Sequence, residues 1–296
     1  KTQILEHMDR VGKKILSTGN GKCNYTNALQ GESYYRGENP AFVMPIFAQF
    51  GHKETVELFA KLGVYPKERA GYFYPKSEQA AAILEVLRME CEHQGVEITT
   101  SCELKAISRC KEGYRIETNC GDMISRKLIF ATGLLAAPKT GSDGSAFPYI
   151  RQLGHHFCEI VPALVPLMAK QSFFKALAGV RTEASVRLYI DNSPICSETG
   201  ELQLTDYGIS GIPVFQISRF ATKALAKHRK VTAKIDFLPA LTEKEVSELL
   251  VKRFHTYGAD KDCSQALIGL FNKKLIDVML KESGIDLHLP AKKLGD

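Results

Sequence analysis

The sequence contains no tryptophan, no C-x-x-C pair, no H-E-x-x-H and no long uninterrupted apolar run. Each absence excludes something. A nucleic-acid groove wants a concentrated basic stripe with aromatics interleaved. Here 39 Lys and Arg against 33 Asp and Glu leave a formal charge of +6. The basic residues are scattered in pairs such as Lys13–Lys14, Lys273–Lys274 and Lys292–Lys293. That is a solvated, mildly cationic surface, and no nucleic-acid partner is expected. The cysteines, Cys23, Cys91, Cys102, Cys110, Cys120, Cys158, Cys196 and Cys263, lack zinc-finger spacing with histidine, so no metal is expected. They read as reduced thiols of a cytoplasmic protein, the alternative being a bridged, secreted one. A membrane span needs roughly 18 apolar residues. The longest apolar stretch, Ile160–Ala169, is interrupted by Pro162 and Pro166. No signal-peptide pattern and no membrane partner are read.

What is present is an ordinary composition, 44% hydrophobic and 24% charged over 296 residues. At about 100–200 residues per domain, this suggests two domains. Thr2–Glu6 has the form of a strand end. Pro40–Leu62 reads as two helices with Phe42, Ile46, Phe47 and Phe50 on one apolar face. Gly71–Pro75 is a short strand. Glu78–Gln94 is an amphipathic helix with Ala81, Leu84, Val86, Leu87 and Cys91 inside. Glu103–Cys110, Tyr114–Asn119 and Met123–Ser125 are successive antiparallel strands, with turns at Lys111-Glu112-Gly113 and Cys120-Gly121-Asp122. Lys127–Thr132 is an apolar strand, and Leu128–Thr132 is expected in the same parallel sheet as Lys1–Glu6. The prolines at 162 and 166 mark a change of domain. Strands then dominate to residue 238, with a helix over Val214–His228. The chain turns helical after Pro239, where Thr242 and Glu245 form a capping signature. The abrupt start at Lys1 and abrupt end suggest a segment of a longer protein.

Three constellations bear on chemistry. A strand-end acid such as Glu6 accepts hydrogen bonds from an adenosine ribose in dinucleotide-binding units. Alone it reads rather as an exposed strand-end carboxylate. The loop Thr18-Gly19-Asn20-Gly21-Lys22-Cys23-Asn24 combines two glycines with neutral hydrogen-bonding side chains, and Lys13 and Lys14 add charge beside it. Its amides can approach an anionic or carbonyl oxygen closely. A plain surface loop is the competing reading. No histidine lies nearby in sequence to activate Cys23, which reads as packed or cofactor-facing. Finally, Ile129-Phe130-Ala131-Thr132-Gly133 lets backbone approach a ligand at the carboxyl end of a sheet. Gly208–Gly211 lacks the Lys-Ser/Thr of a phosphate loop, and Ser210 there is expected to cap the following helix.

Four segments, Gly12–Asn27 (GKKILSTGNGKCNYTN), Tyr72–Ala80 (YFYPKSEQA), Leu128–Gly133 (LIFATG) and Leu204–Arg219 (LTDYGISGIPVFQISR), occur in the order found in one family. The chain resembles the BaiN-like bacterial NAD(P)/FAD-dependent oxidoreductases, flavoproteins that include aminoacetone oxidase. The resemblance implies an α/β fold: a partial glutathione-reductase-like FAD-binding domain over 1–160, with an inserted β-barrel plus helical domain over 161–296. Within the insertion, 161–238 would be mainly β and 239–296 helical. It implies FAD as cofactor and admits NAD(P)H as reductant, with a small-molecule substrate. Glu6 would hold the ribose. Lys13, Lys14 and Thr18, Gly19, Asn20, Gly21, Lys22, Cys23 and Asn24 would line the flavin and pyrophosphate. The Leu104 backbone would meet the adenine, and Thr132 and Gly133 would lie beside the cofactor. Flavin redox need not use a side-chain acid or nucleophile, so no catalytic residue is named. The sequence departs from the family at Leu134, where a second glycine is usual. The glycine-rich strand-turn-helix and the carboxyl-terminal return of the family are also not found in it. The rival reading is a non-catalytic remnant of the fold, or a binding module, that has lost FAD. Neither the substrate's identity nor the oligomeric state is written in the residues.

Overall fold

A computed structural model describes residues 1–37 and 39–294. Contacts divide the chain into two units, Lys1–Ile160 and Val161 onward.

In the first unit the elements are β1 (Gln3–Leu5), α1 (Lys13–Ser17), β2 (Thr26–Asn27), α2 (Met44–Phe47), α3 (His52–Lys61), β3 (Pro66–Arg69), β4 (Tyr72–Pro75), α4 (Ala80–His93), β5 (Glu97–Thr99), β6 (Leu104–Cys110), β7 (Gly113–Thr118), β8 (Gly121–Ser125) and α5 (Phe147–Gln152). β1 and β5 are parallel, with Ile4 opposite Ile98. The helix α4 lies between β4 and β5 in sequence. It buries Ala80 and Ile83 against Cys23 and Val64, with Ile15, Tyr25, Phe59, Val86 and Leu87 packed around them. Gly95, at φ +65°, follows the helix and leads into β5. β6, β7 and β8 form an antiparallel meander across the two expected turns. β2, β4 and β3 form a second small sheet.

Some expectations are corrected here. Leu128–Thr132 is not a strand, and Ile129 is 88% exposed. An all-apolar strand is the pattern of one in a sheet covered on both faces. Among the described residues the parallel sheet has only β1 and β5, and neither receives it. The inward face of α4 is also shifted: Ala81 is exposed and Ala80 is buried, because the face that meets Cys23 and Val64 runs through 80, 83 and 87. Phe42, Ile46 and Phe50 are exposed rather than internal.

The second unit holds β9 (Leu167–Met168), α6 (Phe174–Leu177), β10 (Arg181–Ile190), β11 (Ser193–Thr205), β12 (Gly208–Gly211), α7 (Ile212–Ala226), β13 (Val231–Asp236), α8 (Glu243–Val251), α9 (Cys263–Leu267) and α10 (Lys273–Glu282). The strands make one antiparallel sheet in the order β13-β10-β11-β12-β9. Among the described residues the sheet has β13 and β9 at its edges. Its inward residues Ala184, Val186, Leu188, Leu202 and Leu204 meet Val214, Ile217 and Ala221 of α7 in one buried cluster. Spacings of two on the strands and of three or four on the helix put these residues on facing surfaces. A second cluster, around Phe254, Ile276 and Leu280, belongs to the helical part. Thr242 and Glu245 close the expected capping box, with Glu245 Oε2 accepting the Thr242 amide at 2.7 Å. Ser210 does not cap α7: it is a buried residue of β12, and Gly211, at φ +104°, precedes the helix instead. A side chain at 211 would meet the Glu201 carbonyl, its Cβ lying only 2.4 Å away.

Candidate functional site

Glu6 follows directly on β1. Its amide extends the parallel ladder to the Thr99 carbonyl at 2.9 Å, and its carbonyl accepts the Cys102 amide at 3.0 Å. The carboxylate is therefore set by backbone on both sides. One oxygen, Oε1, accepts the Met8 amide at 2.9 Å, which orients the group. Gly141 stands against this corner: a Cβ there would lie 3.2 Å from Met8 Cγ and 3.7 Å from Glu6 Oε1. The adjacent Ser142 packs on Gly133. The ammonium of Lys14 donates to the Ala136 carbonyl, fastening α1 to the same segment. Glu6, Lys14 and Gly133 are thus gathered around residues 133–142, although Leu128–Thr132 is no strand. Thr132 is exposed beside Gly133.

The loop Thr18–Asn24 is held from within. Thr18 Oγ1 donates to the Ile15 carbonyl at 2.7 Å, and the Thr18 carbonyl accepts the Cys23 amide at 3.1 Å. Gly19, Asn20, Gly21 and Cys23 all take positive φ, between 54° and 80°. Gly19 is needed for space as well, since a Cβ would sit 2.9 Å from the Asn24 nitrogen, whereas a Cβ at Gly21 would meet nothing within 4 Å. The Nδ2 of Asn24 and the hydroxyl of Tyr25 are buried without a hydrogen-bond partner. Leaving a buried donor unmade costs about 1–3 kcal/mol. Burial also pushes the Tyr25 hydroxyl pKa up.

The other residues singled out from sequence are placed as follows. Lys13 pairs with Asp9 one turn earlier. Cys23 is buried in the cluster with Ile83 and Val64. The Leu104 carbonyl accepts the Tyr149 hydroxyl at 2.9 Å. Among the described residues, no group of three His, Cys, Asp or Glu side chains could hold a metal ion, and no helix is long and apolar enough to cross a membrane.

Sequence reasoning missed Lys67, Arg69 and Glu78. Glu78 Oε1 lies 3.1 Å from Lys67 Nζ, 3.4 Å from Lys22 Nζ and 3.8 Å from an Arg69 nitrogen. A hydrogen bond from Lys67, and then Lys22, holds the Glu78 carboxyl below the usual carboxylate range. Lys22, Arg69 and Glu78 line a depression of about 440 Å³ together with Gly19, Asn20 and Tyr74, and Lys67 lies beside it through its contact with Glu78. A larger depression, about 520 Å³ beside Lys1, Arg88 and Glu97, lies at the other end of α4 and gathers none of the loop's groups. The available signal was the alternation of Lys67 and Arg69 on one strand face.

Residues 1–287 match the family described as the HI0933-like protein Rossmann domain. The chain is 42% identical over 295 residues to a 3-dehydro-bile acid delta(4,6)-reductase of Clostridium scindens, covering 98% of this chain and 71% of that protein. It is 25% identical over 288 residues to a ribosomal RNA dihydrouridine synthase of Haemophilus influenzae, covering 94% of this chain and 68% of that one. The corresponding enzyme of Escherichia coli is 26% identical over 220 residues, 73% of this chain and 54% of that one.

Proposed function

The chain belongs to the HI0933-like Rossmann family, and from that premise we propose that it is an FAD-dependent oxidoreductase acting on a small molecule, with NAD(P)H as reductant. The observation that carries this reading is the buried, unpartnered Nδ2 of Asn24, within a loop whose backbone is held left-handed at Gly19, Asn20 and Gly21. A donor of this kind suits a carbonyl or phosphate oxygen of a long polar cofactor. FAD, when bound, supplies the hydride chemistry.

The chain's own residues bind and orient. Glu6, with Oε1 occupied by the Met8 amide, has its second oxygen for the ribose hydroxyls. Lys13, Lys14 and the loop from Thr18 to Asn24 flank the flavin and pyrophosphate. Leu104 meets the adenine through its backbone, and Thr132 and Gly133 stand beside the cofactor. Residues 1–160 then form the FAD-binding part in a glutathione-reductase-like arrangement, and 161–296 the insertion. The setting is the cytoplasm. The names of the relatives denote reductions, one of a steroid and the others of a ribosomal uridine. They support hydride delivery to an activated carbon–carbon double bond here.

A second reading, a remnant of the fold without flavin, rests on the Leu128–Thr132 segment, which forms no strand and leaves Ile129, Ala131 and Thr132 exposed. Flavin absorbance after gel filtration separates the two. A yellow protein, or one that takes up added FAD, supports the enzyme; a colourless protein that cannot be reconstituted supports the remnant.

A further inference from the structure

We propose that the depression beside Gly19 and Tyr74 is a phosphate-binding subsite, in which Lys22, Lys67 and Arg69 take the phosphate monoester of a ligand and Glu78 stands in for it when the ligand is absent. The subsite shares Lys22, Gly19 and Asn20 with the loop proposed to flank the flavin and pyrophosphate; what is new is the convergence of Lys67 and Arg69 with Lys22 on Glu78, which stands whether or not flavin binds.

Three cations from two separate parts of the chain converge on one carboxylate oxygen, at 3.1, 3.4 and 3.8 Å. Lys67 and Arg69 alternate on β3, so both point to the same face, with Lys67 opposite Tyr74 on β4. The acid between them, Glu68, points to the other face opposite Phe73, and its Oε1 accepts the Gly71 amide. Among the described residues Glu78 is the one acid lining the depression. Three positive charges against one negative leave two unmatched. A phosphate monoester near neutral pH carries about −1.5 to −2, which fits that surplus where a single carboxylate would leave half of it. Arginine and lysine are the groups that bind phosphate through charge-assisted hydrogen bonds. Gly19 and Asn20 line the depression beside these cations. Glu78 takes positive φ in the turn before α4. Its carboxylate is presented to the cations from there and is held ionised by them.

Two sources carry this chemistry: the 2′-phosphate of a nicotinamide dinucleotide, and a phosphate on the substrate itself. Titration calorimetry of the whole chain with inorganic phosphate, NADP⁺ and NAD⁺ tests the subsite and distinguishes them. Phosphate is expected to bind, and the Lys67→Ala/Arg69→Ala double variant to lose at least roughly tenfold in affinity. Tighter binding of NADP⁺ than NAD⁺, abolished in the double variant, assigns the subsite to the nucleotide. Phosphate binding with no preference between the dinucleotides assigns it to the substrate. Glu78→Gln removes the internal competitor without removing a cation and is expected to tighten phosphate binding. The proposal is overturned if phosphate does not bind, if it binds the double variant as tightly as the parent, or if a Glu78→Gln protein with unchanged melting binds it more weakly. A colourless protein that still binds phosphate through these residues would leave the subsite standing while removing the flavin reading.

Discussion

Ser142 lies directly behind Gly133, so that a methyl group added at Gly133 would come within 2.5 Å of the serine Oγ and 3.1 Å of its Cβ. Gly133 also has φ +71°, a region that L side chains avoid. Gly133→Ala therefore combines backbone strain with a clash that Ser142 can relieve only by turning away. The expected cost is about 1–3 kcal/mol, read from urea denaturation. Gly21→Ala, at φ +80° but with open space around it, should cost only the backbone part. Equal losses at the two positions would show that the contact with Ser142 contributes nothing.

For cofactor binding, Glu6→Ala should weaken FAD affinity by roughly 1–3 kcal/mol, about ten- to a hundredfold. Glu6→Gln, which keeps an acceptor for the Met8 amide, separates loss of the ribose partner from loss of the local turn. Gly19→Val should be more severe, because its Cβ would press on the Asn24 backbone nitrogen. Flavin retained on gel filtration, followed by titration with added FAD, measures all three.

The titration of Glu78 has a definite sign. Its folded-state pKa is lowered, first by the hydrogen bond from Lys67. Its contribution to stability is thus present above the ordinary glutamate pKa and is lost as pH falls through the depressed value. A carbon-detected NMR titration should place the Glu78 midpoint below that of a free glutamate. In Lys67→Ala the midpoint should move back upward. The group is solvent-accessible, so the melting temperature should change little.

Ile217 is fully buried between α7 and the sheet of the second unit. Truncation to alanine there should cost about 2–5 kcal/mol. Thr242→Ala, which removes the cap of α8, should cost less, about 0.5–2 kcal/mol. Chemical denaturation ranks them, and a reversed order would contradict the placement of the core.

What the sequence determined by itself is what neighbouring residues decide among themselves. Thr242 and Glu245 close a capping box within one turn of helix. Lys111-Glu112-Gly113 and Cys120-Gly121-Asp122 fold a meander between residues a few positions apart. The left-handed run from Gly19 to Gly21 follows from glycine and asparagine tolerating that conformation. These outcomes rest on local sterics and short-range hydrogen bonds. Tertiary structure alone decided the rest. Thr26 and Asn27 become a strand only because Phe73 and Tyr72 lie opposite. Lys22 and Glu78 meet across 56 residues, and Lys67 and Arg69 join them from a strand whose face is set by β4. Leu128–Thr132 shows the converse. Its apolar pattern suits a strand, but a strand exists only where another backbone supplies its hydrogen bonds, and periodicity carries no information about whether that partner is there.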